Sequence, residues 1–362
     1  MPGGVGDFSR GLAEQIRAAG HDVHILSRPG SYSANLNVGA VNGWGLGCLP
    51  AIRRWVQRLG ISIVNLQYQT AAYDMSPFIH FLPGLIDVPL ITTFHDLRHP
   101  YLFPKAGALR DWIVMRLARS SAGVITTNQE DDLRLRDLPN RCIIPIGSSI
   151  RHLNGGDDNI PATRWRAQRD AESFVLGHFG FVKAIKGIDY LLGAMARLRA
   201  DGHDLRLVFI GGWRNSVDTR EDDDYLAALD DRIMRHGLKD AVTRTGYLPD
   251  EEVAACFGAV DLMVLPFTDG ASYRRSSLIA AIHCRCAILT TEPSAPIGAF
   301  VHGENMWLVP PRSAAALQEA ILALMRDRPQ LDRLRTGAAA LSAYFDWDQI
   351  ARETIAFFQT FI

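Results

Sequence analysis

The sequence has almost no net charge. Its 38 lysine and arginine residues are balanced by 39 aspartate and glutamate residues, which leaves a formal net charge of -1 at pH 7. Proteins that bind nucleic acids in general need a clear excess of basic side chains to neutralise phosphates. We therefore expect no nucleic-acid partner, although local basic patches stay open.

Cysteine is scarce, and the five cysteines are an odd number. They are Cys48, Cys142, Cys256, Cys284 and Cys286. Their wide spacing argues against a disulfide framework and favours a reducing cytoplasm. Cys284 and Cys286 follow His283, but no second Cys/His cluster completes a metal site. We expect no bound metal, with a metal at this cysteine pair as the minor alternative.

Long apolar runs are missing as well. No segment reaches the length of a membrane-spanning helix. The first residues, MPGGVGDFSR, lack the apolar stretch of a signal peptide. The sequence therefore predicts a cytoplasmic protein, and peripheral contact with the inner face of a membrane stays open.

The composition of the 362 residues is that of a globular protein. Hydrophobic residues make up 48% and charged residues 21%, which is normal for a chain with a large buried core. Disordered, collagenous and coiled-coil proteins are excluded on this ground. A single domain rarely reaches this length, so we expect two domains.

Short apolar runs alternate with helical segments in the first half of the chain. The predicted strands are Asp22–Leu26, Ile61–Gln67, Pro89–His95 and Val124–Thr127, and the predicted helices are Ser9–Ala19 and Gly107–Ser120. Strands that are apolar throughout and separated by helices indicate a parallel sheet covered on both faces. This alternation is typical of the α/β class.

The alternation restarts after a polar stretch at residues 151–171. The predicted strands there are Ser173–Gly180, Leu205–Ile210, Val242–Gly246, Leu262–Pro266 and Ala287–Thr291. The predicted helices are Ile188–Ala200, Tyr225–His236, Glu251–Phe257, Ser276–His283, Ala314–Met325 and Trp347–Gln359. We predict two doubly wound, Rossmann-like domains that face a cleft, at residues 1–160 and 172–346, with residues 347–362 packing back on the first.

We expect the first domain to lack one strand, because a doubly wound domain normally opens with an apolar strand that leads into a glycine-rich turn. Here only Met1 and Pro2 precede Gly3-Gly4-Val5-Gly6. Two explanations stay open: the start codon is misassigned, or the sheet lacks a strand that is usually central.

Two features of the first half are candidates for ligand contact. Gly3, Gly4 and Gly6 precede the predicted helix, where glycine permits close approach and a helix N-terminus attracts anions; an ordinary tight turn is the alternative. His95 and Asp96 end a predicted strand, at the edge where ligands bind. An imidazole there could bind a sugar hydroxyl or stabilise developing charge, or simply cap a turn.

Two loops of the second half carry cations. Lys183, Lys186 and Gly187 follow a predicted strand and precede a helix, a position that suits a diphosphate; solvated surface lysines are the alternative. The second loop also leads into a helix and contains Asp269, Gly270, Ala271, Ser272, Arg274, Arg275 and Ser276. Helix-end amides and an arginine pair there could hold phosphate oxygens, or serve as a helix cap with surface arginines.

The acidic run at residues 221–224 precedes a predicted helix. Acidic side chains at that position complement the helix dipole, so we interpret the run as a helix start and not as a metal site.

Seven segments spread over most of the chain carry a family resemblance. They are GGVGDFSRGLAEQIRAAGHDVHIL, TFHDLRHP, IPIGSSI, FGFVKAIKGIDYLLGAM, TGYLPDEEVAACFGAVDLMVLPF, LIAAIHCRCAILTT and GENMWLVPP. In this order they resemble family-four glycosyltransferases of the GT-B fold. The resemblance implies transfer of a sugar from a nucleotide-diphosphate sugar to a saccharide or glycolipid acceptor, with retention at the anomeric carbon and without metal or cofactor. Polysaccharide biosynthesis is the usual setting of similar proteins.

The resemblance also implies roles for single residues. His95 would lie near the transferred sugar, and Lys186 would neutralise the departing diphosphate. The glycine loop Gly3–Gly6 would approach the donor diphosphate or the acceptor, and Tyr247, between Gly246 and Leu248, would lie by the nucleobase. The C-terminal domain would hold the donor, and the N-terminal domain would face the acceptor.

The chain departs from the family pattern at three positions. Phe181 stands where the family has an arginine five residues before the lysine, and Ser272 and Ala280 stand where it has two glutamates. Asp269 is the nearest substitute for the first glutamate, so we count it with the catalytic candidates. These departures keep two alternatives open: a catalytically weakened nucleotide-binding subunit, and a sugar-nucleotide epimerase of the same fold.

Overall fold

The computed structural model describes residues 4–31, 33, 35–97, 107–148, 150, 173–213 and 220–362. The chain divides into two compact units. The first contains residues 1–147 and 346–362, and the second contains residues 148–345. Both are built from parallel strands and covering helices, which confirms the α/β class and the two Rossmann-like domains. The predicted first domain extended to residue 160, whereas the first unit ends at Gly147.

The first unit contains six described strands and five described helices. The strands are β1 (His24–Ser27), β2 (Asn37–Ala40), β3 (Val64–Tyr68), β4 (Leu90–Phe94), β5 (Gly123–Thr126) and β6 (Arg141–Ile143). The helices are α1 (Gly4–Ala18), α2 (Cys48–Leu59), α3 (Gly107–Ser120), α4 (Gln129–Arg134) and, at the end of the chain, α11 (Trp347–Gln359).

The sheet of the first unit is interrupted. Strands β3-β4-β5-β6 form one parallel sheet, and β1 and β2 form a separate parallel pair. The apolar β4 and β5 are fully buried because helices cover both faces. In contrast, β1 is only partly buried along its whole length, although Ile25 and Leu26 are apolar.

Helix α1 begins earlier than the sequence predicted. The predicted start was Ser9, after a glycine turn, but the helix already includes Gly4 and Gly6. Two of the three glycines therefore belong to the first turn of a helix and not to a loop before it; Gly3 lies outside the described residues. The early glycines weaken helix propensity, which explains why the pattern placed the start too late.

The second unit contains one six-stranded sheet. Its strands are β7 (Phe174–Phe179), β8 (Leu205–Ile210), β9 (Val242–Arg244), β10 (Leu262–Leu265), β11 (Ile288–Thr291) and β12 (Trp307–Val309). The strand order is β12-β11-β10-β7-β8-β9, with every pair parallel. The strand order reverses at β7, so its carboxyl end is the place where such a sheet binds ligands.

Six described helices cover this sheet. They are α5 (Ile188–Ala200), α6 (Arg220–Arg235), α7 (Asp250–Ala259), α8 (Ser276–His283), α9 (Ala314–Arg326) and α10 (Arg328–Ser342). The sequence placed the start of α6 at Tyr225, but the helix begins at Arg220, so the acidic residues 221–223 lie inside its first turn. Their charge complements the helix dipole there.

Helix α11 packs on the first unit through Trp347. The indole ring contacts the ring of Phe8 in α1, with 5.4 Å between ring centroids. Two glycines border the indole so closely that a Cβ at Gly11 would lie 2.8 Å from it and a Cβ at Gly147 2.5 Å. The buried side chains of Ile350 and Ala351 continue the contact with Phe8 and its neighbours. Trp347 therefore fixes the terminal helix between two backbone segments.

This packing predicts the effect of one methyl group. Gly147→Ala would place a Cβ against the indole of Trp347, and overpacking of this kind costs about 1–3 kcal/mol. We expect the melting temperature to fall by about 2–4 °C for each kcal/mol lost. The matched control is Gly84→Ala, whose Cβ would have no neighbour within 4 Å. Equal melting temperatures of the two variants would contradict the described packing of Trp347.

Candidate functional site

The candidate site lies where the loops after β7 and β10 meet in the second unit. These two strands are neighbours in the sheet. Gly180 ends β7 in the left-handed conformation, with a φ of 106°, and a Cβ there would lie 3.9 Å from Nζ of Lys186. The chain then forms a single turn at Ala184–Lys186 before α5 begins at Ile188.

Gly187 fixes that turn against the exit of β10. Its φ is 65°, and a Cβ would lie 2.0 Å from the carbonyl oxygen of Pro266, so only glycine fits. The amide of Thr268 donates a hydrogen bond to the carbonyl of Ile185 at 3.0 Å. The predicted role of Gly187 was donor binding; the structure shows a residue that presses the lysine turn onto the neighbouring loop.

Lys186 points its ammonium group into this junction. Its Nζ donates to Oγ of Ser277 at 2.9 Å and lies 5.0 Å from the centre of the Phe267 ring. Burial, and after it the charge of Arg275, lowers the pKa of Lys186 to about 7, although the charge of Asp269 acts in the opposite direction. Before an anion arrives, Lys186 therefore loses its proton at a much lower pH than a solvated lysine does.

Arg275 brings a second cation to the same ring. Its guanidinium lies 4.9 Å from the centre of Phe267 and forms an ion pair with Asp269. Arg275 is also the residue that precedes α8. The structure therefore unites Lys186, Arg275 and Asp269, three residues that the sequence selected from two separate loops.

The start of helix α8 adds amide groups to the cluster. No acidic residue lies in its first turn, Ser276 is exposed, and Ser277 is the buried partner of Lys186. Ser272 is buried, and its hydroxyl accepts a hydrogen bond from the amide of Arg274 at 3.2 Å. A helix start without acidic side chains, next to two cations, favours an anion.

Gly270 and Ala271 hold the loop against the end of strand β11. Gly270 has a φ of 92°, and a Cβ there would lie 2.5 Å from the carbonyl oxygen of Glu292. The amide of Ala271 donates to the carbonyl of Thr291 at 3.1 Å, and its side chain is buried. Both were predicted to bind the donor; the structure shows them fixing the loop to the end of β11.

Lys183 does not join the cluster around Phe267 in the way the sequence suggested. Its Nζ forms an ion pair with Asp222, at 2.8 Å, in the first turn of α6. Phe181, at the position where the related family has an arginine, is 41% exposed. The cation that accompanies Lys186 is therefore Arg275 and not Lys183.

Tyr247 follows β9 and is 86% exposed. It comes directly after Gly246, whose φ of 71° and bridge to Gly211 turn the chain away from the strand. Nearby in the fold, the guanidinium of Arg244 lies 3.6 Å from the centre of the Trp213 ring. An exposed ring at the carboxyl end of the sheet is available for stacking.

His178 is a buried neighbour of the site that sequence reasoning missed. It belongs to β7, and its Nδ1 donates to the carbonyl of Val264 at 3.0 Å. Burial, and after it the charge of Lys186, lowers the pKa of His178 to about 3. Its Nε2 has no hydrogen-bond partner among the residues that the structure describes. The imidazole ring is therefore uncharged and lies beside Lys186.

His95 lies in the first unit, just after β4. Its Nε2 is 2.8 Å from Oε1 of Gln67, and the ring of Phe8 meets the imidazole edge-on with 4.9 Å between centroids. Because Oε1 only accepts, Nε2 carries the proton. Burial lowers the pKa of His95 to about 4, so the ring is neutral at pH 7. Since Phe8 belongs to α1, the helix with Gly4 and Gly6 begins close to His95.

The described part of the chain contains neither a membrane-spanning helix nor a cluster of metal ligands. No described helix combines the length and hydrophobicity needed to cross a membrane. No group of three or more described His, Cys, Asp or Glu side chains is arranged to hold a metal ion. The side chains of all five cysteines are free thiols.

Comparison with known proteins identifies relatives along most of the chain. A phosphatidyl-myo-inositol mannosyltransferase of Mycobacterium leprae is 22% identical over 378 residues, which covers 99% of this chain and 94% of that protein. An alpha-D-kanosaminyltransferase of Streptomyces kanamyceticus is 25% identical over 351 residues, 92% of this chain and 86% of that protein. All of these relatives are remote in sequence.

Solved structures show the same fold. HepE of Anabaena, in complex with UDP, has a TM-score of 0.77 at 19% identity and covers 99% of this chain and 97% of its own. A sucrose-phosphate synthase of Thermosynechococcus elongatus has the same TM-score and identity and covers 99% and 93%. The structural likeness shows the GT-B fold class, with two Rossmann-like domains.

Two family models cover both units. The model of the glycosyl transferase 4-like domain matches residues 3–147. The model of the glycosyl transferases group 1 matches residues 159–340, which includes the whole Lys186 and Arg275 cluster. The chain therefore belongs to the group 1 glycosyltransferases and is a glycosyltransferase of the GT-B fold.

Proposed function

We propose that the chain is a retaining glycosyltransferase that requires no metal ion. It moves a sugar from a nucleotide-diphosphate sugar to a saccharide or lipid-linked acceptor. The observation that carries the proposal is the pair of cations, Lys186 and Arg275, held at about the same distance from Phe267 where the loops after β7 and β10 meet.

The relatives support the classes of donor and acceptor. HepE was solved with UDP bound, and the Mycobacterium leprae relative is a mannosyltransferase named for phosphatidyl-myo-inositol. We assign this chain a donor whose leaving group is a nucleoside diphosphate, because its own site is positively charged. Peripheral contact with the inner face of a membrane belongs to the same proposal, because it would bring a lipid-linked acceptor within reach.

The chemistry of the site is electrostatic. Breaking the bond between the sugar C1 and the phosphate oxygen leaves negative charge on the β-phosphate. Lys186, Arg275 and the amides at the start of α8 stabilise that charge as it develops. A well-placed donor of this kind contributes about 3 kcal/mol to lowering the barrier. Two cations supply this without a metal ion.

Protonation couples Lys186 to the arrival of the donor. In the empty site, burial and Arg275 favour the uncharged amine. A diphosphate next to Nζ favours the ammonium, so donor binding takes up a proton. The departing phosphate then meets a full charge in a site with little water, where electrostatic interactions are strong.

His95 has a different task from Lys186. It is uncharged near neutral pH, and Gln67 fixes which of its nitrogens carries the proton. A neutral, oriented imidazole suits hydrogen bonding to a sugar hydroxyl better than compensation of charge. We assign no side chain as general base; the leaving phosphate oxygen takes the proton of the acceptor hydroxyl as the new glycosidic bond forms.

The second candidate is a nucleotide-binding subunit with weakened catalysis. Two observations favour it over full activity. Ala280 is completely buried in α8 at a position where the related family has a glutamate. Asp269, the nearest substitute for the other glutamate, is paired with Arg275. A chain that binds the donor but releases no nucleoside diphosphate from it would be this second candidate.

The first test replaces the central lysine. We expect Lys186→Met to lower the release of nucleoside diphosphate from UDP-, GDP- or ADP-glucose by about 100-fold or more. The same change removes a partly buried charge, so the melting temperature at pH 7 should rise by about 2–4 °C for each kcal/mol gained. Activity and thermal unfolding are measured on the same preparation.

The control is Lys239→Met, an exposed lysine before β9, which should change neither quantity. The pH adds a second check on the stability gain. Unfolded lysine keeps its proton up to about pH 10.4, whereas folded Lys186 loses it near pH 7. Folding therefore becomes more favourable as pH rises from 7 to 10 in the wild type, and the advantage of the methionine variant shrinks. A Lys186→Met variant that is fully active refutes the proposal.

A further test follows donor affinity with pH. A nucleotide-diphosphate sugar has no phosphate that titrates near neutrality, so the change reports the protein. If binding needs charged Lys186, linkage predicts about tenfold weaker binding at pH 8 than at pH 6. Calorimetry with whichever of the three glucose donors binds measures the slope. Lys186→Arg, which stays charged, should remove it; an unchanged slope in that variant would assign it to another group.

The carboxylate of Asp269 is expected to tune this titration. Its charge raises the pKa of Lys186, while the charge of Arg275 lowers it. Asp269→Asn should therefore move the midpoint of the affinity profile to lower pH, and Arg275→Gln should move it to higher pH. The same calorimetric series measures both shifts. Two shifts of equal sign would show that the three charges do not act on one another as described.

A further inference from the structure

The break in the sheet of the first unit contains a slot. Strand β1 pairs with β2 on one side, and β3 pairs with β4 on the other. The free edges of β1 and β3 border a cavity of about 600 Å³. Voids larger than a water molecule, about 30 Å³, are rare inside proteins. No described strand lies between these two edges.

The residues that line the cavity show that it lies in the plane of the sheet, at a position that a further strand would occupy. Every residue of 23–28, which includes β1, and every residue of 62–67, which includes most of β3, borders it. Successive side chains of a strand point to opposite faces. A cavity that touches all of them therefore runs along the edges of the strands and not over one face of the sheet.

Helices already cover both faces of the slot. Residues of α1 and α11, such as Leu12 and Phe358, line one side, and residues of α2, such as Ile52 and Val56, line another. The walls are therefore mainly apolar. A segment that fills the slot would be sandwiched between helix layers, as are the fully buried strands β4 and β5.

The burial of the bordering strands supports a missing neighbour. All four residues of β1 and the first two of β3 are only partly buried. In the sheet of the second unit, β10 and β11 are buried throughout. Parallel strands normally lie inside a sheet because both edges and both faces need cover.

The direction of α1 shows how the slot would be filled. Phe8, near its start, contacts His95 beyond the carboxyl end of β4. Ile16, near its end, packs in the cluster that contains Ile63, just before β3. Helix α1 therefore runs opposite to the strands. A strand in the slot, parallel to β1 and β3, would end at the edge of the sheet where α1 begins.

The second unit shows the same arrangement with the strand present. Its first strand, β7, lies in the middle of the sheet between β10 and β8, and a short turn leads from it to α5. The slot in the first unit lies at the corresponding place, between β1 and β3, directly before α1. Length also agrees, because five or six residues at about 3.3 Å each match the segments 23–28 and 62–67 that border the slot.

We infer that the slot binds an apolar β-strand of five or six residues, parallel to β1 and β3, contributed by polypeptide joined to the N-terminal side of α1. Backbone groups on both edges would pair with it, and Val or Ile side chains would face the helices on either side. Gln67 borders the slot and holds His95, so filling it also orders the partner of that histidine. The inference does not depend on the proposed function.

The test adds the strand. The residues Lys-Ile-Val-Val-Val-Ile are fused before Met1 of the full chain, and Lys-Ser-Asn-Ser-Asn-Ser is the matched polar extension. We expect the apolar extension alone to raise the melting temperature by about 5 °C or more. Amide hydrogen exchange in His24–Ser27 and Val64–Tyr68 should slow at least about tenfold. Both are measured on the fraction that elutes as the extended monomer.

A substitution in the slot locates the effect. Ile25 borders the cavity and is only partly buried, so Ile25→Asp should change the unextended chain little. In the extended chain the same carboxylate would be buried next to a side chain of the new strand on the same face of the sheet, and it should abolish the gain in melting temperature. Equal melting temperatures and exchange rates for the apolar and polar extensions would overturn the inference, as would a gain that survives Ile25→Asp.

Discussion

A lysine ammonium held away from water, beside an arginine and against an aromatic ring, is the constraint on which the candidate site depends. Such a charge costs stability unless an anion arrives to compensate it. The chain fixes it nonetheless: Gly187 presses the lysine turn against Pro266, and Ser277 of α8 receives the Nζ hydrogen bond. This arrangement supports the proposed binding of a ligand that carries negative charge, and in that proposal stability is given up for function.

The class of the fold follows from the sequence because buried parallel strands are apolar throughout. Helices with a clear apolar face and defined ends were predicted with the observed limits, as for Ile188–Ala200 and Ser276–His283. Short or polar strands were missed, such as Asn37–Ala40 and Arg141–Ile143, because a few residues with mixed polarity leave no periodic signal. The sequence raised the question of a strand before α1, and the coordinates show a cavity between β1 and β3.

The site could be predicted in part, because the residues that end strands and start helices are recognisable in sequence. Lys186, Arg275 and Asp269 were selected in this way. The residues that lie between them were not predictable. In sequence, Phe267 and His178 have the pattern of core residues, and their place in the site follows only from the strand order, which puts β10 beside β7. The pairing of Lys183 with Asp222 is equally a product of tertiary structure, since the two lie 39 residues apart. Position along the chain indicates which loops meet, whereas packing decides which side chains within them touch.

The most direct test of the charged site counts protons. A lysine whose pKa is lowered to about 7 in the empty protein takes up a fraction of a proton near neutral pH when a nucleotide-diphosphate sugar binds. Calorimetric titrations in two buffers with different ionisation enthalpies measure that fraction for the wild type and for Lys186→Arg. The account predicts measurable proton uptake in the wild type and almost none in the arginine variant. No uptake in the wild type would contradict it.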